Sequence, residues 1–144
     1  DKLLILASIA NGLKIIHKED LIHRDLHYRN ILINNKISYI SDFGLSGTYD
    51  QVTTDKKIVG ILPFIAPEIL EGKPCTQKSD VYSFGIIMWM FTSGSSQFYN
   101  HKSDTDLQLD IRNGIRPQII DGTPPCFINL MKKCWDTKPE NRPN

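Results

Sequence analysis

Residues 23–44 read His23-Arg24-Asp25-Leu26-His27-Tyr28-Arg29-Asn30-Ile31-Leu32-Ile33-Asn34-Asn35-Lys36-Ile37-Ser38-Tyr39-Ile40-Ser41-Asp42-Phe43-Gly44. Two apolar runs, Ile31 to Ile33 and Ile37 to Ile40, flank Asn34-Asn35-Lys36, which predicts a short antiparallel hairpin. Polar residues stand at both of its feet. Asn30 enters the first strand and Asp42 leaves the second, so closing the hairpin draws an amide and a carboxylate to one end. Asp25 precedes Asn30 by five residues. Two carboxylates and an amide so placed suit a hard cation and the alignment of a hydroxyl group.

Working outward, Leu3, Leu6, Ile9, Ala10, Leu13 and Ile16 recur at three- and four-residue steps, which predicts an amphipathic helix over Lys2 to His17. From Leu45 to Gly60 the chain turns polar and loses periodicity, the signature of a long loop. Ser79 or Asp80 can cap a helix running to Ser93, with Gly94 as its stop. Val81, Phe84, Ile86, Ile87, Met88, Trp89, Met90 and Phe91 make that helix apolar nearly all round, so it belongs at the centre of the core. Two further helices are predicted over Asp104 to Asn113, stopped by Gly114, and over Pro125 to Trp135. No internal repeat or linker divides the chain. The fold class is mainly α with a short antiparallel β-hairpin.

A length of 144 residues, 40% apolar and 23% charged, describes one modest globular unit. The net charge is +1 and no basic stripe interleaves with aromatics, so no nucleic-acid partner is expected. Cys75, Cys126 and Cys134 form no C-x-x-C pair, which argues for reduced thiols in an intracellular, cytoplasmic protein rather than for zinc or disulfides. The longest apolar stretch, Phe84 to Phe91, is too short to span a bilayer. A start at Asp1 without Met leads us to expect that the true N-terminus lies further upstream.

His23 to Asn30 resembles the H-R-D-L-x-x-x-N catalytic loop of protein kinases, and Asp42-Phe43-Gly44 resembles their D-F-G. Ala66-Pro67-Glu68 is similar to the A-P-E that closes the activation segment, and Ser79 to Gly85 looks like the opening of the central helix. The resemblance runs from the first residues to the last and covers the C-terminal lobe of the domain. It implies Asp25 as the catalytic base, Asn30 and Asp42 as Mg²⁺ ligands, and Asn30, Leu32 and Asp42 beside ATP. Gly44 would let the backbone turn sharply after Asp42. His23 would be an orienting histidine packed beside Phe43, and Asp80 would hold the backbone of the His23-Arg24 turn. Glu68 and Arg142 would form a buried structural ion pair. Arg24 would pair with a phosphate on the activation loop, at Thr48, Tyr49, Thr53 or Thr54, with Thr53 and Thr54 favoured.

The pattern also departs from the family. Serine/threonine kinases usually carry a Lys two positions after the catalytic Asp, where this chain has His27. Tyrosine kinases often carry an Arg four positions after it, and Arg29 stands there; either residue is expected to supply positive charge. Ile61 replaces the Thr whose hydroxyl binds the catalytic Asp in serine/threonine kinases. Cys134-Trp135 is shared with tyrosine kinases and the tyrosine-kinase-like group, towards which the pattern leans. No G-x-G-x-x-G loop or V-A-I-K strand is present, so the N-terminal lobe is expected to be absent from this chain, as is a helix after Asn144. The expected function is therefore that of a partial protein kinase. Its parent would move the γ-phosphoryl of ATP to a protein Ser or Thr hydroxyl, while the chain alone would be inactive. The competing reading is a catalytically silent kinase-like docking module.

Overall fold

The apolar stripe at the start of the chain folds into helix α1, Lys2–Lys18, with Leu6, Ile9, Leu13 and Ile16 buried. Burying each such side chain contributes about 1.5–3 kcal/mol. The computed structural model describes residues 2–49, 60–95 and 103–144. Strands β1, Ile31–Asn34, and β2, Ile37–Ile40, pair antiparallel in the register Ile31↔Ile40 to Asn34↔Ile37. Asn35 and Lys36 between them take φ of 48° and 69°, the left-handed pair of a type I′ turn that matches strand twist.

The hairpin lies on α1 through buried Ser38. Its hydroxyl donates to the Ile5 carbonyl at 2.8 Å, and its amide donates to Ser8 Oγ at 3.2 Å. Gly12 permits the close approach, because a Cβ there would already touch the Ile40 side chain at 3.4 Å. This packing fixes the feet of the hairpin, where Asn30 and Asp42 stand.

Downstream come α2, Pro67–Leu70, α3, Gln77–Ser93, α4, Asp104–Arg112, and α5, Pro125–Cys134. Single 3₁₀ turns occur at Tyr28–Asn30, Leu62–Phe64 and Pro139–Asn141. Helix α3 is buried along its length, with Tyr82, Ile86, Ile87 and Met88 at the heart of the core. It starts earlier than its apolar run. Thr76 is the cap, and its amide donates to Ser79 Oγ at 3.0 Å. Ser79 and Asp80 are thus interior residues of the first turn, not the cap: Ser79 Oγ is the reciprocal half of the capping box, and the Asp80 carboxylate serves another segment. Gly94 ends the helix at φ 65° and donates to the Met90 carbonyl. Helix α5 crosses α3 where Gly85 removes a side chain: a Cβ there would lie 2.9 Å from Cys134 Cβ. The fold is mainly helical with one two-stranded antiparallel sheet, as the sequence predicts. Of the expected loop from Leu45 to Gly60, residues 50–59 lie outside the described residues.

Candidate active site

Asp25 follows a turn that sequence patterns alone do not make rigid. Arg24 sits at φ 71°, a conformation disfavoured for a residue with a Cβ. Asp80 of α3, 1% exposed, holds this turn with both oxygens: Oδ1 accepts the Arg24 amide at 3.0 Å and Oδ2 the His23 amide at 2.8 Å. His23 is fully buried. Its Nε2 lies 3.0 Å from the Ser41 carbonyl, its Nδ1 takes the Asp25 amide at 3.3 Å, and its ring lies 5.3 Å from that of Phe43. These partners assign the proton to Nε2. One histidine thus ties the Asp25 backbone to the strand exit at Ser41 and Phe43.

Around Asp25 the structure brings together His27 and Asn30. Asn30 Nδ2 donates to the Asp25 carbonyl at 2.8 Å and reaches its carboxylate at 3.5 Å. His27 Nε2 lies 3.3 Å from Asp25 Oδ1 and 3.4 Å from Asn30 Nδ2, while its buried Nδ1 has no hydrogen-bond partner. His27 is walled in by Tyr28 and Phe64, ring centroids 6.4 and 6.2 Å away. Gly60 closes the other side at φ 121°; a Cβ there would sit 3.0 Å from Asp25 Oδ1. Arg29 is exposed and lies over the Tyr28 ring at 5.7 Å, with Nε donating to the Tyr28 hydroxyl at 3.2 Å.

Asp42 comes next to Asn30 through the hairpin: Ser41 N–H and Oγ both donate to the Asn30 carbonyl, at 2.9 and 3.2 Å. Asp42 is exposed and takes φ 64°. The sharp turn after the hairpin is therefore made at Asp42, not at Gly44, whose φ lies outside the left-handed region. Gly44 instead donates its amide to Asp42 Oδ1 at 3.4 Å, an Asx-type turn that lets an Asp adopt this conformation. Leu32 is exposed on the hairpin opposite Tyr39.

The donor set fits a magnesium ion. The Asn30 amide nitrogen is engaged with Asp25, which leaves its oxygen for a cation, and Asp42 offers an accessible carboxylate. Among the described residues no group of three or more His, Cys, Asp or Glu converges to hold a metal. Magnesium commonly completes such a sparse protein set with phosphate and water oxygens.

Glu68 of α2 and Arg142 form a bidentate buried pair, Nη1–Oε1 and Nη2–Oε2 both 2.7 Å. Arg24 Nη2 donates to the Thr48 carbonyl at 2.6 Å. Thr53 and Thr54 lie outside the described residues. Three residues had no signal in the sequence patterns. His17 Nε2 approaches Asp80 Oδ2 at 2.9 Å, and Gln77 Nε2 donates to the His17 carbonyl at 2.9 Å. The guanidinium groups of Arg116 and Arg142 lie over the Tyr82 ring, 5.0 and 5.3 Å from its centre. Burial pushes the Tyr82 phenol up to about 12, and the hydroxyl has no hydrogen-bond partner.

Asp25 is tied to Asn30 on a turn braced by the buried carboxylate of Asp80, and the hairpin brings Asp42 next to Asn30, in the chain order of the protein kinase motifs. The family described as protein tyrosine and serine/threonine kinase matches residues 1–144, so the chain belongs to the protein kinase family. It is 35% identical to the dual specificity protein kinase zakA of Dictyostelium discoideum over 96% of this chain and 20% of that protein. It is 33% identical to the serine/threonine/tyrosine-protein kinase HT1 of Arabidopsis thaliana, over 94% of this chain and 35% of that one. It is 31% identical to mitogen-activated protein kinase kinase kinase 12 of Rattus norvegicus, over 94% and 15%. The chain therefore spans 15 to 35% of the length of these relatives. The tyrosine-kinase-like serine/threonine pattern read from its sequence agrees with this set.

Proposed function

We propose that the chain is the C-terminal catalytic lobe of a protein kinase whose parent transfers the γ-phosphoryl of ATP to a Ser or Thr hydroxyl of a protein. The observation that carries this reading is the gathering of Asp25, His27 and Asn30 at the foot of the hairpin that also delivers Asp42. In the proposed step Asp25 accepts the proton of the acceptor hydroxyl. That oxygen bonds to the γ-phosphorus, the bond to the β–γ bridging oxygen breaks, and ADP leaves. Asn30 and Asp42 would hold magnesium, which when bound neutralises charge on the phosphates. His27, 3.3 Å from Asp25, restrains the carboxylate, and Arg29, exposed and resting on Tyr28, would turn from it towards phosphate. Arg24, already turned to the Thr48 carbonyl, would take an activation-loop phosphate at Thr53 or Thr54.

The acceptor is read as Ser or Thr, with Tyr as the alternative, because the names of two relatives include tyrosine or dual specificity. The N-terminal lobe, with its glycine-rich loop and strand Lys, is proposed to lie in the parent outside these 144 residues. Exposure of Leu32 and Phe43, 56% and 49%, supports a covering wall there, with Leu32 against the nucleotide. The chain alone is then proposed to be inactive. Three unpaired thiols support a cytoplasmic setting. Among the described residues no helix is long and apolar enough to cross a membrane.

Calorimetry of Mg²⁺·ATP binding tests the reading, on this chain and on a form extended upstream by a full N-terminal lobe. Saturable binding in the extended form, abolished by Asp42→Asn, is expected. Absence of binding in both forms would sink the catalytic reading in favour of a silent module that docks partners through its helical lobe.

A further inference from the structure

A histidine inside an aromatic wall either finds partners for both ring nitrogens or buries one unpaired, at a cost in stability. His27 is 8% exposed, its ring lies against those of Tyr28 and Phe64, and its Nδ1 is buried without a hydrogen-bond partner. Its Nε2 faces an acceptor and a donor at once, Asp25 Oδ1 at 3.3 Å and Asn30 Nδ2 at 3.4 Å. No protonation state of the ring answers all three demands. A proton on Nε2 serves Asp25 and opposes the Asn30 amide. A proton on Nδ1 serves Asn30, turns a lone pair towards the Asp25 carboxylate and leaves a buried N–H alone. With both protons in place the Asn30 amide is opposed and the Nδ1–H is still alone. Asn30 has no need of the ring, because its Nδ2 already donates to the Asp25 carbonyl at 2.8 Å. The Asp25 carboxylate is underserved too: its contacts with His27 and Asn30, 3.3 and 3.5 Å, exceed the length of about 2.7–2.9 Å usual for a charge-assisted bond.

One oxygen placed beside both Asp25 Oδ1 and His27 Nε2 completes the set. It must donate to the carboxylate, so it carries a hydrogen, and it must accept from Nε2–H, so it keeps a lone pair. A hydroxyl does both, whereas an ionised phosphate oxygen has no proton to give. Room beside Oδ1 is left by Gly60, where a Cβ would stand 3.0 Å from that oxygen. We propose that His27 is a substrate-binding residue whose Nε2–H holds the oxygen of the acceptor hydroxyl against Asp25, and that its imidazole adds nothing to the stability of the free chain. This rests on the kinase reading above, and it places His27 on the acceptor rather than on the phosphates.

Two measurements test it, each comparing wild type with His27→Leu and His27→Gln. In urea unfolding of the 144-residue chain, His27→Leu is expected to show a midpoint no lower than wild type, because it removes unmet nitrogens from an apolar wall. A lowered midpoint marks a satisfied structural histidine and overturns the proposal. In a parent-length kinase with dephosphorylated casein as acceptor, His27→Leu is expected to lower kcat/KM for casein about tenfold, with KM for ATP within about twofold. His27→Gln, whose side-chain amide reaches the place of Nε2–H, is expected to recover most of that loss. A change confined to KM for ATP, or no recovery with Gln, overturns the proposal. An active wild type matched by His27→Leu sinks this inference alone, while a wild type that transfers no phosphate sinks the function proposed above and this inference with it.

Discussion

Replacing Arg142 by Met keeps much of its volume and removes its charge, and the structure says what is left behind. Glu68 and Arg142 are 6% and 0% exposed at their side chains, and both of their contacts are 2.7 Å long. Without Arg142, the Glu68 carboxylate keeps the Ser79 hydroxyl, 3.3 Å away, as its side-chain donor among the described residues. Breaking a buried pair from one side typically costs about 3–5 kcal/mol, because a charge is stranded away from water. The converse change, Glu68→Leu, leaves Arg142 with the carbonyls of Asp136 and Lys78, at 2.8 and 2.9 Å, and the Tyr82 ring. It should fall near the lower end, about 3 kcal/mol. The double variant strands nothing and is expected to be no less stable than the milder single one. Urea unfolding with a constant m-value measures all three, and the Arg142→Met melting temperature should drop on the order of 10 °C. A single-variant cost below about 1 kcal/mol, the scale of a surface pair, would refute the reasoning, as would additive costs in the double variant.

Three other outcomes follow from the packing. Gly85→Ala places a Cβ 2.9 Å from Cys134 Cβ and 3.0 Å from the Trp135 nitrogen, so urea unfolding should show a loss of about 1–3 kcal/mol; an unchanged midpoint contradicts the close α3–α5 approach. In native thiol labelling read by mass spectrometry, exposed Cys126 should react first. Cys134, pushed up to about 11 by burial, should react only on unfolding, and early labelling of it would contradict the packing. Burial raises the Tyr82 phenol from 10.0 to about 12, so the stability it contributes is intact below pH 10 and is lost as pH rises towards 12. Tyr82→Phe removes a hydroxyl that has no partner and should cost less than about 1 kcal/mol while flattening that alkaline loss; a larger cost or an unchanged alkaline slope counts against it.

Local periodicity carried most of the fold. The stripe of α1, the paired apolar runs of the hairpin and the all-round apolar α3 are each a direct consequence of which faces must leave water. What escaped were ties between distant segments. Helix α3 starts earlier, at the Thr76 cap, because Ser79 completes that capping box and Asp80 is claimed by the 23–24 turn, and no window of sequence shows the second claim. The resemblance placed the sharp turn after the hairpin at Gly44, yet Asp42 takes the left-handed conformation, since its own carboxylate can cap the following turn. Of the site, the residue types and their order were legible in His23 to Asn30 and Asp42 to Gly44. His17 was not, because a histidine at the end of an amphipathic helix has no periodicity that marks it.

The polar residues of α3 explain why so apolar a helix still specifies one arrangement. Ser79 bonds Glu68, Asp80 bonds the turn before Asp25, and Ser83 donates to the Phe64 carbonyl at 2.7 Å. These three positions fall within the first two turns, so one short stretch of buried helix fixes α2, the turn before Asp25, and the segment that carries Phe64. The second half of the helix is tied differently: Trp89 donates to the Gln118 carbonyl and Lys2 Nζ donates to the Phe91 carbonyl, both at 2.7 Å, around an apolar packed face. A large-to-small change there, such as Met88→Ala, creates a cavity costing about 2–5 kcal/mol but leaves the three polar ties in register. Asp80→Asn costs a charge and at least one of its three donors, and it acts at the turn. The two variants can be matched in global stability by a small change of temperature. If the turn matters as argued, they then differ in hydrogen exchange at His23 and Arg24, with Asp80→Asn alone exchanging faster there.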